Sequence, residues 1–287
     1  MKYAFMEQHR FEFSIVLMAR VLRVSRSAFY TWCTKCVQNA RAAARALLDS
    51  LVAGVFHAHK GRYGAPRITA ELCEQDHPCD EKTVASSLRR QGLVARAGRK
   101  FKATTNSNHN LPVAPNLLEQ DFSSQRPNEK WVQDITYCAT DEGWLYLATV
   151  VDLYSRQVVG WAMSERMKAT LVCDALTMAL FRRGRPRGVI VHSDRGSQYC
   201  SKRFQRLLRK HELLCSMSKR GDCYDNACAE SFFHSLKVEL THGERYATRE
   251  ILRREIFQYI ETYFNTVRRH SALGYISPVT FELQHVA

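Results

Sequence analysis

Apolar and polar positions in residues 127–218 alternate in a way that predicts a sheet followed by alternating helices and strands. Three runs rich in β-branched and aromatic residues, separated by short turns, predict an antiparallel meander. The meander strands are predicted at 131–138, 144–152 and 157–163. The chain beyond them predicts helices at 170–182 and 197–211 and strands at 188–191 and 213–218. This order is typical of an α/β fold in which a meander continues into a parallel part covered by helices.

The segment around residues 227–240 predicts an amphipathic helix. At about 100° per residue, its large apolar side chains fall in one stripe of roughly 100°. The stripe comprises Phe232, Phe233, Leu236 and Leu240. Glu230, His234 and Lys237 share the opposite side. We therefore expect one face to pack and the other to present a carboxylate, an imidazole and an ammonium group.

The N-terminal third is predicted to be helical. Ser25 and Asp80 are good N-caps, because their side-chain oxygens can accept from the free N–H groups of a first helical turn. The predicted elements are two short helices in 14–33, a helix at 41–56 and a helical pair at 66–76 and 81–91. The first and last pairs resemble a helix-turn-helix, whose second helix enters a major groove. Helical hairpins that pack without contacting DNA have the same pattern.

Changes in periodicity divide the chain into four segments. Residues 95–128 lose helical periodicity and gain Lys, Arg, Asn, Ser and Pro, which indicates a linker. The predicted segments are a helix-turn-helix-like part at 1–40, a second helical module at 41–95, a basic and polar linker at 96–126, and an α/β domain with C-terminal helices at 127–287.

Several cations of the front part are candidates for phosphate contacts, although each also fits an ordinary solvated face. These candidates are Arg62, Arg67, Arg89, Arg90, Arg99 and Lys100. Near the C-terminus, Arg268 and Arg269 either contact DNA or pack against the core.

Net charge supports a polyanionic partner. The formal charge is +14, and residues 1–126 and 127–287 are both basic, at +9 and +5. Lys and Arg gain affinity for nucleic acids by releasing counterions from phosphates. The ten cysteines are too scattered for a disulfide framework, and no apolar run is long enough to span a membrane. We therefore expect a cytoplasmic protein with reduced thiols.

Three acids lie where their elements could bring them together. Asp134 lies within the first predicted strand, Asp194 closes the apolar run 188–191, and Glu230 lies near the start of a helix. The two gaps contain 59 and 35 residues. Clustered carboxylates repel one another, so a divalent cation suits them better than an empty core. Two Mg²⁺ ions held by such acids are suited to phosphodiester chemistry.

Each acid also has an ordinary structural interpretation. Asp134 fits an outward-facing strand residue, Asp194 fits a helix cap, and Glu230 fits a first-turn acid favoured by the helix dipole. Their joint occurrence in this element order favours a shared site. Asp152 also ends a strand, but we expect it to cap a turn or pair with Arg156. His192 is expected to be a structural histidine.

The sequence around these acids resembles a known family. The motif is Asp194-Arg195-Gly196-Ser197-Gln198-Tyr199, followed by Asp225-Asn226-Ala227 leading into Glu230-Ser231-Phe232-Phe233. With the 35-residue gap, these residues resemble the catalytic core of the retroviral-integrase-type DDE transposases. The resemblance covers roughly residues 15–285 and is strongest to the second-reading-frame product of IS3-family insertion sequences.

The resemblance implies a fold, an activity and partners. The fold would be ribonuclease-H-like, and the activity would be cutting and joining of insertion-sequence ends through Asp134, Asp194 and Glu230 with two Mg²⁺ or Mn²⁺ ions. Lys237 would approach the DNA end. Partners would be the terminal inverted repeats, target DNA, further copies of the chain, and an upstream reading-frame product, joined by frameshifting in a bacterial cytoplasm. The alternatives are a DNA-binding regulator with an inactive core and an RNA-strand nuclease of the same fold.

Overall fold

A computed structural model describes residues 1–96, 113–219 and 226–285. The chain divides into two compact units, residues 1–95 and 96–287. Residues 97–112 of the expected linker segment 96–126 lie outside the described residues, and so do Arg99 and Lys100.

The first unit is helical, as predicted. Its helices are α1 (Lys2–Gln8), α2 (Ile15–Val21), α3 (Arg26–Ala58), α4 (Ala65–Glu74) and α5 (Glu81–Arg90). Both predicted N-caps are present: Ser25 accepts from the Ala28 N–H at 3.5 Å, and Asp80 accepts from the Thr83 N–H at 2.8 Å. Helix α1 was not predicted from the sequence.

Helix α3 differs most from the prediction. The expected helices in 25–33 and 41–56 form one continuous helix of 33 residues, which runs through the segment boundary expected at residue 40. Neither Gly nor Pro occurs between Ser25 and Ala53, and five alanines lie between residues 40 and 46. Alanine has the highest helix propensity, so nothing local ends the helix.

Two apolar clusters lie at the two ends of α3. Near its start, Phe29 packs with Met6, Met18 and Ala19. Near its end, Val52, Val55 and Phe56 are buried where α3 meets α4 and α5. The four residues of α4 and α5 that were expected in the core are buried: Ile68, Leu72, Val84 and Leu88.

The second unit contains the predicted five-stranded sheet. Its strands are β1 (Lys130–Thr140), β2 (Gly143–Asp152), β3 (Val158–Ser164), β4 (Ile190–Ser193) and β5 (Leu214–Met217). The strand order is β3-β2-β1-β4-β5, with the first three strands antiparallel and β4 and β5 parallel to β1. This is the predicted meander with a parallel part, and it has the ribonuclease-H-like arrangement that the family resemblance implied.

Helices cover both faces of this sheet. They are α6 (Ala169–Arg182), α7 (Lys202–Lys210), α8 (Ala227–Leu236) and α9 (Arg249–Gln258), and π-helical turns extend α8 to Thr241 and α9 to Phe264. A further helix, α10 (Pro278–His285), contacts the turn after β2, where the rings of Phe281 and Tyr154 lie 5.3 Å apart. Helix α7 begins five residues later than predicted, because Ser201 caps it by accepting from the Phe204 N–H at 3.2 Å.

Neighbouring residues of β1 define the two cores. Trp131 points into a core with α6 and α7, and Val132 points into a core with α8 and α9. Successive side chains of a strand alternate between its faces, so Asp134 lies on the same face as Val132, under α8.

Candidate active site

Asp134, within β1, and Asp194, one residue past the end of the parallel strand β4, lie at neighbouring positions. Val132 of β1 pairs with His192 of β4, and each aspartate lies two residues further along its own chain. Side chains repeat every second residue, and paired strands lie about 4.8 Å apart. The register therefore brings together two acids that are separated by 59 residues of sequence.

Backbone N–H groups hold both carboxylates. The Ile135 N–H donates to Asp134 Oδ1 at 2.7 Å, and the Gly196 N–H donates to Asp194 Oδ1 at 2.9 Å. A Cβ atom at position 196 would lie 2.9 Å from the same Asp194 oxygen. Glycine is thus required for the close turn that follows Asp194.

The surroundings of Asp134 disfavour its charged form. Burial, followed by the negative charge of Asp194 and then that of Glu230, raises the pKa of Asp134 well above its ordinary value. The Ile135 N–H and the Lys237 ammonium oppose this rise. A cation placed between the carboxylates would remove the repulsion, so this pair suits a metal ion with oxygen ligands.

Helix α8 carries the third acid towards this pair. Its apolar face is buried through Ala229, Phe232, Phe233 and Leu236, as the predicted stripe requires. At its start, Asn226 Nδ2 donates to the carbonyl oxygen of Gln133 at 3.3 Å, which fixes the helix beside Asp134.

The Glu230 side chain is exposed, although nearby protein atoms displace enough water to raise its pKa. Its charge acts on Asp134 less strongly than that of Asp194 does. Among residues 1–96, 113–219 and 226–285, no three His, Cys, Asp or Glu side chains are close enough to hold one metal ion. The structure therefore pairs two acids closely, with Glu230 further away. Asp225 lies outside the described residues.

Lys237 also faces the acids. Its ammonium lies over the ring of Tyr137, 5.4 Å from the centroid, and it lowers the pKa of Asp134. The prediction that Lys237 shares a side of its helix with Glu230 is consistent with this electrostatic contact.

Two residues beside the acids had no assigned role in the sequence, although both belong to the quoted motif. They are Gly196, described above, and Tyr199, whose side chain is 1% exposed. The Tyr199 hydroxyl makes no hydrogen bond to any described residue. Burial, and then the charges of Asp134 and Asp194, raise the pKa of Tyr199 well above its ordinary value.

Asp152 is a structural acid, as expected. It accepts from the Asn128 N–H at 2.8 Å, the Tyr154 N–H at 3.0 Å and the indole of Trp131 at 3.2 Å. The alternative pairing with Arg156 is wrong, since Arg156 donates to Cys228 and to the Phe122 carbonyl oxygen. The register that matches β1 to β2 places Asp152 opposite Trp131, three residues from Asp134.

His192 is structural, as expected. It is fully buried, and its two ring nitrogens lie 2.8 and 3.2 Å from the hydroxyls of Ser216 and Ser218. Arg268 packs in the core, which was one of its two expected roles. Its side chain is buried and forms an ion pair with Glu239.

The cations proposed for phosphate contact have different surroundings. Arg67 lies over the ring of Tyr63, 5.6 Å from the centroid, and Arg62 is half-buried. Arg90 forms an ion pair with Asp49 at 2.6 Å, whereas Arg89 is exposed at the end of α5.

No helix in the described part of the chain is long and apolar enough to cross a membrane.

The sheet order and the acid pair at the junction of β1 and β4 define an integrase-core protein. Models of the integrase core domain match residues 124–223 and 230–286, and a model of an HTH-like domain matches residues 42–101. Solved structures similar to the chain include a simian T-cell lymphotropic virus intasome in complex with a PP2A regulatory subunit, with a TM-score of 0.47 and 16% identity over 77% of this chain and 70% of that one. Another is the HTLV-2 integrase catalytic core in complex with magnesium, with a TM-score of 0.43 and 15% identity over 56% of this chain and 99% of that one.

Similar proteins include transposase InsF of insertion sequence IS3A from Escherichia coli K12, which is 58% identical over the full length of both chains. A 31 kDa protein of insertion element IS600 from Shigella sonnei is 44% identical over 92% of this chain and 97% of that one. The chain belongs to the IS3-family insertion-sequence transposases, DNA-cutting and DNA-joining enzymes with an integrase core. The resemblance predicted from its motifs is confirmed, and nothing favours the regulator with an inactive core.

Proposed function

We propose that Asp134, Asp194 and Glu230 are the catalytic acids and metal ligands of this transposase. The observation that carries the proposal is the parallel register of β1 and β4, which sets Asp134 beside Asp194 with a raised pKa at Asp134. Glu230 approaches from α8, and its charge already acts on Asp134.

The donor set fits divalent metal ions with hard oxygen ligands, either Mg²⁺ or Mn²⁺. When bound, two such ions would activate the attacking oxygen and stabilise the leaving oxygen of a phosphodiester. The chain's own residues supply the arrangement. The Ile135 and Gly196 N–H groups orient the two aspartates, and the Asn226 side chain fixes the start of the helix that carries Glu230.

Lys237 would bind the DNA end. Its ammonium faces the acids while its position over Tyr137 limits its freedom. A positive charge stabilises a negatively charged phosphate beside the acid pair, and the lysine ammonium is a compact positive charge. The further proposed phosphate contacts are Arg62, Arg67, Arg89, Arg90, Arg99 and Lys100.

The acids are tested by replacing each one with its amide: Asp134→Asn, Asp194→Asn and Glu230→Gln. The assay is joining of a pre-cut element end to plasmid DNA in Mg²⁺. Metal-ion stabilisation of a transition state is worth several kcal/mol, so each variant should lose roughly 1000-fold in rate. Binding to the same DNA should change little.

Glu250→Gln is the matched control, because Glu250 is an exposed acid on α9. It should keep the wild-type rate. A wild-type rate in any of the three amide variants would remove that acid from the catalytic set.

We further propose that the chain acts on its element's terminal inverted repeats and on target DNA, as several copies in the bacterial cytoplasm, and as a frameshift fusion with the upstream reading-frame product. The family match and the nine cysteines that are free in the described residues support this setting. A gel shift tests the fusion: the fused protein should bind the ends tightly and the isolated chain weakly. Equal, tight, sequence-selective binding by both would contradict it.

For the segment layout, we retain a helix-turn-helix-like part at 1–40, a second module at 41–95, a linker at 96–126 and the core at 127–287. Limited proteolysis tests it, with first cleavage expected within 96–126. First cleavage inside 127–287 would contradict it.

A further inference from the structure

The middle of α3 has no packing partner within the first unit. Every residue from Thr34 to Leu47 is exposed, although the helix is buried near both ends. These fourteen residues make nearly four turns and span about 21 Å. Isolated helices of this length are marginal in water. The five alanines supply helix propensity, and the packed ends supply the rest.

The charge of this part of the chain has one sign. Between Glu12 and Asp49 the sequence has six Lys or Arg residues and no Asp or Glu. Within residues 1–96, no ion pair involves Lys35, Arg41 or Arg45. The exposed helix therefore carries cations that form no ion pair with an acid of the described part of the first unit.

The cations share one face of the helix. At about 100° per residue, Lys35, Gln38, Arg41 and Arg45 fall within an arc of roughly 120°. The opposite face is small and apolar, with Cys36, Ala40, Ala43 and Leu47 within an arc of roughly 60°. The cationic face combines charge with a side-chain amide and is bordered by short side chains that allow another backbone to approach.

This face continues onto α5. A groove between the two helices is lined by Arg45 and Leu48 of α3 and by Lys82, Ser86 and Arg90 of α5. The acids beside it are Asp49, which is held by Arg90 at 2.6 Å and accepts from the Ser87 hydroxyl at 2.6 Å, and Asp80, which accepts from the Thr83 N–H at 2.8 Å. The charge of Arg45 also acts on Asp49, and that of Lys82 acts on Asp80, but the three lining cations Arg45, Lys82 and Arg90 outnumber these two acids, so the groove remains positive.

We propose that the Lys35–Arg45 face of α3, together with the adjoining side of α5, binds the phosphate backbone of duplex DNA. Charge complementarity selects this occupant. Lys35, Arg41 and Arg45 follow one face of a helix of about 21 Å, with Lys82 of α5 lining the adjoining groove, and duplex DNA carries one negative charge per about 1.7 Å of its axis. A second protein copy would instead bury the apolar face that contains Ala40 and Ala43.

The test uses the chain of 287 residues and a short fluorescent DNA duplex of arbitrary sequence. Affinity is measured by anisotropy at several salt concentrations in EDTA. The variant is Arg41→Gln with Arg45→Gln, since glutamine retains helix propensity. The slope of log affinity against log salt should become shallower by about 1.8, or 0.9 for each lost phosphate contact, and Kd should rise at least about tenfold near 0.1 M salt.

Arg206→Gln with Arg209→Gln is the matched control, because both residues are exposed on α7 and the change in net charge is identical. It should keep the wild-type slope. Circular dichroism should show the same helix content in all three proteins.

Two results would overturn the inference. One is an unchanged slope in the α3 variant, and the other is an equal loss in the α7 control. If Ala40→Glu with Ala43→Glu dissociates an oligomer while the arginine pair has no effect, the surface binds another copy instead. The assay contains no divalent ion, so its outcome is independent of whether the three acids are catalytic.

Discussion

Asp194 lies across the junction of β1 and β4 from Asp134. Burial, and then the negative charge of Asp194, raise the pKa of Asp134. An acid whose pKa is higher in the folded chain than in the unfolded chain destabilises the folded state once it ionises. The loss of stability caused by Asp134 begins as the pH rises through about 3.9, its pKa in the unfolded chain, and is complete above its raised pKa in the folded chain.

Asp134→Asn should therefore increase the free energy of unfolding at pH 7 in EDTA, because the amide carries no charge. The increase should shrink as the pH is lowered towards about 3, where the carboxyl is protonated in both states. Urea denaturation at several pH values measures both effects. A variant that is less stable than wild type at pH 7 would contradict the prediction.

Asp121→Asn provides the opposite case. The Lys130 ammonium, which bonds to Asp121 at 2.7 Å, lowers the pKa of Asp121. A lowered pKa contributes stability above the unfolded value, and that stability is lost as the pH falls through the folded value. This variant should be less stable than wild type at pH 7. The same sign for both variants would contradict the assignment of the two shifts.

Gly196→Ala should impair catalysis more than folding. The new Cβ would lie 2.9 Å from Asp194 Oδ1 and 3.1 Å from Gln198 Oε1, so the carboxylate must move. Displacing a catalytic group by about 1 Å costs roughly 100-fold in rate. Strand-transfer rates measure the loss. Gly54→Ala is the control: nothing lies within 4 Å of its Cβ, and alanine in a helix adds roughly 0.5–1 kcal/mol. Equal rates in both variants would remove the role assigned to Gly196.

Arg268→Met should strongly destabilise the second unit. Arg268 and Glu239 are both buried, their atoms approach to 2.7 Å, and Tyr259 donates to the same carboxylate at 2.8 Å. Removing one partner leaves a buried, uncompensated charge, which costs about 3–5 kcal/mol. Arg187→Met breaks the exposed pair with Glu212 and should cost less than about 1 kcal/mol. Urea denaturation measures the loss of unfolding free energy in both variants. Similar losses would show that burial of the Arg268–Glu239 pair does not affect stability.

Tyr199→Phe should raise the free energy of unfolding by about 1 kcal/mol. The variant removes a buried hydroxyl that bonds to no described residue and keeps the ring, which packs edge-on against Phe204 at 5.4 Å. An unsatisfied buried polar group costs about 1–3 kcal/mol. Thermal and urea unfolding test this. A lower stability would mean that the hydroxyl has a favourable partner in solution.

Local pattern was sufficient for most of the elements. The meander, the two parallel strands and the amphipathic α8 were predicted because side-chain period, β-branched residues and turn formers act within a few residues. The continuity of α3 was missed, although alanine propensity and the lack of Gly and Pro indicate it. Helix ends shifted where a particular cap, such as Ser201, set the start.

The sequence by itself determined the alternation of elements, the family resemblance and the identity of the acids worth considering. Only the tertiary structure decided which distant groups meet: Asp134 beside Asp194, Arg90 on Asp49, Arg268 buried with Glu239, and Asp152 on backbone N–H groups rather than Arg156. The physical reason is that periodicity fixes which face a side chain takes. Strand register and helix packing, which join residues far apart in the chain, fix what that face touches.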